Sequence, residues 1–338
     1  RWKKPSPQWK LCSMRAPDFW QEKDYTAKIA AMLLSPLGWA YGASVAWKAS
    51  SARPYRAEAK VVCVGNLTAG GSGKTPIAIA IARALLARQR NTVILTRGYG
   101  GKMRGPAFVD PAHDSFEETG DEALLLAAAA PVIVARDRAA GAKLADGNGA
   151  DAIVMDDGHQ NFALTKDLAI VVVDAESGFG NGRILPAGPL RENVPLGLAR
   201  ADAVVLVGDG DPALPKFKGP VLRARVVPVD APGVAGQRVL AFAGIGRPEQ
   251  FFATLRGLGA IIAEERAYED HYAYTAAEFA RLHARAKALD ATLVTTEKDF
   301  VRLTPAERQN VRFIPVRAAF DDRAALDALL DRIAPRAS

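Results

Sequence analysis

Short apolar runs recur along the chain and alternate with segments of helical periodicity. Residues 61–64, 92–96, 131–135, 152–155, 168–173 and 203–207 are runs of this kind, rich in Val, Ile and Leu. They are too short for core helices and lack polar alternation, as expected of parallel strands buried on both faces. Between some of them the apolar positions shift to a helical spacing. Ile77, Ile81, Ala84 and Leu85 share one face of a helix predicted over 77–86, and further helices are predicted over 121–130 and 137–144. This alternation predicts an α/β fold with a mostly parallel sheet flanked by helices on both faces. A stretch rich in Pro, Gly and Asp, 208–236, breaks the pattern and reads as a linker with an extended strand at 221–227. A shorter alternation follows, with strands at 238–243, 260–263, 292–295 and 311–316 and helices at 247–257, 275–289 and 321–333. The expected organisation is a core domain over 51–207, the linker, and a second, smaller α/β lobe over 237–338. Two lobes imply a cleft, a usual place for chemistry between two substrates.

The most apolar stretch precedes all of these. Residues 29–47, "IAAMLLSPLGWAYGASVAW", carry no charge and are bracketed by Lys28 and Lys48. Nineteen residues is the low end for a membrane span, and Pro36 and Gly38 interrupt the run. Trp39, Tyr41 and Trp47 are residue types that favour a membrane interface. The segment 14–50 therefore reads as a broken helix lying on or dipping into a membrane. A helix packed on the domain and a spanning anchor are the alternatives. No cleavable signal peptide is indicated. Residues 1–13 read as a disordered extension, with Met14 a candidate start.

Charge supports the membrane reading and argues against nucleic acid. The net charge is +7, yet the first 60 residues hold eleven Lys or Arg against four Asp or Glu, and the remainder holds 33 of each. The basic excess thus flanks the apolar segment, where it would face anionic phospholipid, and lines no groove along the body. Two cysteines, Cys12 and Cys63, give neither a disulfide framework nor metal-ligand spacing.

The chemistry begins at "VVCVGNLTAGGSGKTP", residues 61–76. Strand, glycine loop and helix follow one another, and Lys74-Thr75 sits where the helix starts. Glycines let successive backbone N–H groups converge on an anion, and the helix N-terminus adds its dipole. The usual G-x-x-x-x-G-K-[ST] pattern is not met, because Thr68 stands where the first glycine is expected, with Gly70 and Gly71 beside it. Residues Thr68, Ala69, Gly70, Gly71, Ser72, Gly73, Lys74 and Thr75 are the predicted phosphate cradle. Lys74 would reach the β/γ-phosphates and the Thr75 hydroxyl would bind Mg²⁺.

Ligands in such sheets bind beyond the carboxyl ends of strands. "DAIVMDDGHQN" ends a strand in Asp156 and Asp157, as a Mg²⁺-directed carboxylate beside a phosphate loop does. Asp174 is a rival at the end of another strand, and either acid is also a common turn residue. Arg97 in "TRGYGG" is a candidate phosphate ligand or a solvated loop residue. Asp121 and Glu122 in "ETGDEALLLA" are first-turn helix acids, or a proton acceptor with a metal-organising neighbour. Arg191 and Glu192 end a Pro-Gly loop, and His271 stands beside Asp270, as an oriented base or as part of a helix-entry turn.

Taken together and in order, "VGNLTAGGSGKTP", "TRGYGG", "GDEALLLA", "DDGHQN", "LPAGPLRE", "DHYAYT" and "LVTTEKDFVRL" resemble the tetraacyldisaccharide 4'-kinases, the lipid A 4'-kinases of Gram-negative bacteria. The resemblance covers about residues 14–330 and includes the Thr68 variant of the loop. It implies a P-loop core joined by a β-ribbon linker to a smaller lobe, on the cytoplasmic face of the inner membrane. It implies ATP and Mg²⁺ as co-substrate and metal, and a lipid A disaccharide precursor phosphorylated on its 4'-hydroxyl by a monomer. Carried over by motif, Asp121 is the catalytic base paired with His271, and Lys74 and Thr75 serve phosphate and metal. Asp156, Asp157 and Glu122 lie near Mg²⁺, and Arg97, Arg191 and Glu192 near substrate or transition state. His159 and Asn161 depart from the family pattern. A GTPase-type switch is the rival class, but in "TTEKD" Lys298 directly precedes Asp299, which is not the N-K-x-D spacing.

Overall fold

The computed structural model describes residues 17–20, 25–229 and 233–336. The extension over 1–13 and the start at Met14 lie outside the described residues. A short 3-10 turn, Asp18–Trp20, precedes α1 (Tyr25–Ser51). The body then runs β1 (Lys60–Gly65), α2 (Lys74–Leu86), β2 (Thr92–Thr96), β3 (Ala107–Phe108), α3 (Phe116–Thr119), α4 (Asp121–Ala127), β4 (Val132–Val134) and α5 (Arg138–Gly147). It continues with β5 (Ala152–Asp156), β6 (Leu168–Asp174), α6 (Val194–Leu198), β7 (Ala203–Val207) and β8 (Val221–Pro228). A second unit comprises β9 (Arg238–Ala243), α7 (Pro248–Gly257), β10 (Ile261–Ala267), α8 (Ala276–Ala288), β11 (Thr292–Thr296), α9 (Glu297–Phe300), α10 (Pro305–Arg308) and β12 (Val311–Ile314). The chain returns through β13 (Val316–Phe320) and α11 (Arg323–Asp331).

The large sheet has nine strands in the order β13-β8-β7-β6-β1-β5-β2-β4-β3, parallel except at its two edges. The smaller sheet, β10-β9-β11-β12, is parallel throughout. β1 lies near the middle of the large sheet, and Val62, Cys63 and Val64 are fully buried, which explains its unbroken apolar run. On one face Ile77, Ile81 and Leu85 of α2 pack with Leu126 of α4 and with Leu326 and Leu330 of α11. On the other, Ala142 and Ala145 of α5 cover Ile153 and Met155. The β1–β5 register pairs Val64 with Asp156, so the loop leaving β1 starts level with the acid that ends β5.

Three expectations change. The sequence predicts one strand of the smaller lobe over 311–316. The chain instead changes sheets at Pro315, which has no N–H to give to a ladder. β12 pairs with β11, whereas β13 pairs antiparallel with β8 in the large sheet. The second unit is therefore narrower than 237–338, because α11 belongs to the main core. β8, expected within the linker, is likewise a strand of the large sheet, and the β8–β13 pair carries the chain out and back.

The N-terminal segment is also not broken. α1 is one 27-residue helix that absorbs the single bond Pro36 cannot make. Nor is it amphipathic in the usual sense. The residues it buries are mostly small: Ala27, Ala31, Ser35, Gly38 and Val45. A Cβ at Gly38 would lie 2.8 Å from the Ile184 carbonyl oxygen, so the backbone itself rests on the body. Outward, Leu33 and Trp39 are each 72% exposed, and Met32, Leu37 and Trp47 are exposed as well. Small residues face the protein and large apolar ones face away, the reverse of a surface helix in water.

Candidate active site

Gly73 caps α2 at φ 75° with no side-chain cap, which leaves the first amides of the helix aimed outward. Around Gly70 and Gly71 an added Cβ would meet nothing within 4 Å, so the loop opens onto space there. The base of the loop is braced. Asn66 Nδ2 donates to Ser72 Oγ (3.1 Å), and Arg191 N donates to the Leu67 carbonyl (2.8 Å). Ala69 N donates to the Pro189 carbonyl (2.7 Å), and Thr68 bridges Leu190 as in a sheet. The predicted cradle therefore contracts. Thr68 and Ala69 tie the loop to the 184–192 segment, and among the described residues the amides of 70–73 donate to no backbone carbonyl, while Lys74 and Thr75 open α2. This also explains Thr68: that position lies in an extended bridge and does not need glycine's freedom.

The acids divide into two kinds. Asp156 is 1% exposed and its Oδ1 has no hydrogen-bond partner. Burial, then the charges of Glu122 and Asp157, pushes its carboxyl up to about 7. Asp157, at φ 48°, turns toward Lys74 Nζ (3.6 Å) and Arg191 Nη1, which is 2.9 Å from both carboxylate oxygens. Burial raises the Asp157 carboxyl, but these two cations outweigh it and hold it below the ordinary range. The expected metal set of Thr75, Asp156, Asp157 and Glu122 is thus not a closed one. Among the described residues no cluster of three or more acidic, His or Cys side chains is gathered tightly enough to hold a metal by itself. The orphaned Asp156 oxygen at the foot of the loop still fits Mg²⁺, which keeps waters and phosphate oxygens and takes only one or two carboxylates from protein. The rival Asp174 is engaged elsewhere, by Ser177 N and Oγ and by Arg247 Nη2 (2.7 Å).

Asp121 opens α4, which packs against both α2 and α9. Its Oδ1 accepts the Glu122 amide (2.8 Å). Its Oδ2 accepts from His271 Nδ1 (2.8 Å) and from Arg302 Nε (2.7 Å) and Nη2 (2.5 Å), all from the second unit. Burial alone would raise this carboxyl; the His271 hydrogen bond and the charges of Arg302 and Lys298 overcome it and hold the group well below the usual range. Asp121 is therefore more than a first-turn acid of its helix. His271, in the left-handed region at φ 59°, keeps its outer edge part-exposed, with Tyr99 of the "TRGYGG" loop 6.1 Å away. The two expected partners, 150 residues apart in sequence, are joined in this structure.

The remaining candidates scatter. Arg97 is exposed at the end of β2. Arg191 grips Asp157 as described. Glu192 is buried and accepts from Gln160 Nε2 (2.9 Å) and Arg200 Nη2 (2.6 Å), and the same Gln160 Nε2 donates to the Asn66 carbonyl at the base of the loop (2.8 Å). His159 is fully buried, donates from Nε2 to the Gly197 carbonyl (2.9 Å), and is pushed down to about 3, chiefly by burial. Asn161 Oδ1 accepts from Ala163 N (3.1 Å). Both departures from the family pattern therefore sit in structural positions. Sequence reasoning missed Arg302 and also Arg138, a buried arginine whose charge acts on Asp156 and Asp157. Arg302 lies inside "LVTTEKDFVRL" with nothing to mark it, and Arg138 lies in an ordinary helix start.

The class that builds its central strand-to-helix turn this way is that of the P-loop nucleotide-binding proteins, and the fold and loop geometry place the chain in it. The particular family follows from comparison with known proteins. A family model, Tetraacyldisaccharide-1-P 4'-kinase (LpxK), matches residues 30–334, and the chain belongs to this family. A tetraacyldisaccharide 4'-kinase of Rhodospirillum rubrum is 50% identical over 330 residues, covering 95% of this chain and 98% of that one. Its namesake from Rhodospirillum centenum is 49% identical over 323 residues, covering 94% and 96%. The crystal structure of an "apo" form of LpxK from Aquifex aeolicus in complex with ATP matches with a TM-score of 0.73 at 27% identity, covering 90% of this chain and 99% of that one.

Proposed function

We propose that the protein transfers the γ-phosphate of ATP to the 4'-hydroxyl of a tetraacylated glucosamine disaccharide 1-phosphate, a step of lipid A synthesis. The observation that carries the mechanism is the Asp121–His271 contact, made across the two units on a helix packed against the P-loop helix. The amides of residues 70–75 hold the phosphate tail, and Lys74 places its charge on the β/γ oxygens. Mg²⁺, held through Asp156 and Thr75 with Glu122 nearby, would neutralise phosphate charge as transfer proceeds. Asp157, gripped by Lys74 and Arg191, keeps both cations in place.

A sugar hydroxyl is a weak nucleophile, and the pair supplies orientation and a sink for its proton. Among the described residues Asp121 Oδ1 accepts from the Glu122 amide, and a carboxylate oxygen has lone pairs for a further donor. A carboxylate held this firmly ionised is a modest base. That suits phosphoryl transfer, whose transition state is loose and in which positioning and charge dominate. Arg191, beside Asp157 and Lys74, and the exposed Arg97 would supply positive charge to the transferring group.

The acyl chains give α1 its role. Its outward Leu33, Leu37, Trp39 and Trp47 bring the site to a bilayer-bound substrate, at the cytoplasmic face of the inner membrane. The reading is tested by following ATP consumption with and without the lipid acceptor. Consumption rises with acceptor and yields a phosphorylated lipid; equal consumption without acceptor refutes the proposal.

A further inference from the structure

We infer that residues 298–302 of the second unit form a positioning element for the reaction: Arg302 fixes the Asp121 carboxylate, and Lys298 fixes the His271 imidazole with its proton on Nδ1. This rests on the function proposed above. The segment "TEKDFVR", 296–302, starts α9, with Thr296 capping it by accepting from Asp299 N (3.0 Å). Asp299 is fully buried and saturated. It accepts from Gly244 N (3.0 Å), Tyr274 Oη (2.9 Å), Thr296 Oγ1 (2.6 Å) and Arg302 Nη1 (3.0 Å). Arg302 Nη1 also donates to the Gly244 carbonyl (2.9 Å). The guanidinium is thus locked from behind within its own unit, and its remaining edge, Nε and Nη2, meets Asp121 Oδ2. The planar fork sets the carboxylate's direction, which a lysine in its place would not.

Lys298 acts on the other member. Its Nζ lies 3.1 Å from His271 Nε2 and 3.1 Å from Asp270 Oδ1. An ammonium group only donates, so Nε2 must accept, and the ring proton resides on Nδ1, where it is donated to Asp121 Oδ2. A hold on His271 from Asp121 alone would leave the ring free to turn about that bond. With Lys298 on Nε2, Asp121 on Nδ1 and Asp270 Oδ1 receiving His271 N (3.0 Å), ring and backbone are both held. Arg302 and Lys298 therefore converge on the pair from one short segment, α9 and the turn that follows it, for a purpose beyond joining the two units.

The test uses the full-length protein with ATP and the lipid acceptor, in Lys298→Met, Lys298→Arg, Arg302→Met and Arg302→Lys. The Met variants lower kcat by about 10–100-fold, within the range for misplacing an acid–base group, while the KM for ATP stays within about twofold. Lys298→Arg, which still donates, recovers much of the loss. Arg302→Lys, with charge but no fork, recovers little. In ¹⁵N-labelled protein, with the signal assigned through His271→Gln, the His271 ring reads as the Nδ1–H tautomer, which Asp121 also favours, and Lys298→Met shifts the Nε2 resonance as that nitrogen loses its donor. Lys298 is part-exposed, so Lys298→Met decides the matter should either Arg302 variant fail to fold. Wild-type kcat in Lys298→Met, or an unchanged Nε2 resonance, overturns the inference. An absence of lipid phosphorylation by the unaltered protein would instead overturn the function on which it rests, and the tautomer reading would still stand or fall separately.

Discussion

Replacing Asp156 by asparagine separates stability from function at one buried atom. The carboxyl is 1% exposed, its Oδ1 is unpartnered, and its titration is displaced upward from 3.8 to about 7, by burial first. A raised carboxyl binds its proton more tightly in the folded chain than in the unfolded one. Between pH 4 and about 7 the folded state then holds more protons, so stability falls as pH rises through that window and the full loss is present above it. The distance from 3.8 to about 7 corresponds to at most about 4 kcal/mol. An asparagine at this position carries no charge to desolvate, so Asp156→Asn should be more stable than the parent by about 1–4 kcal/mol at pH 8 in EDTA. Near pH 4 the gain should vanish. The assay is urea denaturation at both pH values, with and without Mg²⁺. The same substitution removes the proposed metal contact, so phosphate transfer should fall by at least about 100-fold. A variant less stable than the parent at pH 8 would refute the reasoning, because the carboxylate would then be a satisfied group in the folded protein.

Further outcomes follow from other parts of the site and from α1. Asp121→Ala and His271→Ala should each slow transfer by about two to four orders of magnitude with ATP binding retained, as measured by turnover and nucleotide titration. Acid should weaken the bond between the units: Asp121 is held below its ordinary range, so its contribution is full above pH 4 and is lost only as pH falls through the lowered value, which a denaturation series from pH 5 to pH 2 would follow. Gly38→Val should cost about 1–3 kcal/mol in denaturation, because its Cβ would press on the Ile184 carbonyl oxygen at 2.8 Å. Replacing Leu33, Leu37 and Trp39 together by Ser should leave the fold intact and reduce sedimentation with anionic vesicles, since all three face away from the body.

Local signals account for most of what the sequence revealed. The strand runs, the P-loop and the Asp156–Asp157 strand end were legible because each depends on neighbours in the chain. The glycine missing at 68 was the family's own variant, and the structure supplies the reason in the Thr68–Leu190 bridge. The change of sheet at Pro315 was not legible, since a proline after an apolar run marks a break without saying where the next strand pairs. The packing of α1 was hidden because its inward face consists of small residues that periodicity analysis counts as weakly apolar. The Arg302–Asp121 contact spans 181 residues, and nothing local in "DFVRL" distinguishes that arginine from a surface one. Glu192 was placed near the chemistry by motif, and its buried bonds to Gln160 and Arg200, which no local sequence signal marks, were not legible.

The most direct test is transfer of labelled γ-phosphate from ATP to purified tetraacyldisaccharide 1-phosphate, with the site of phosphorylation read by mass spectrometry. The account predicts label on the 4'-oxygen with the unaltered protein, and its near-complete loss in His271→Ala with ATP still bound. Equal labelling by His271→Ala, or no labelled lipid from the unaltered protein, would contradict it.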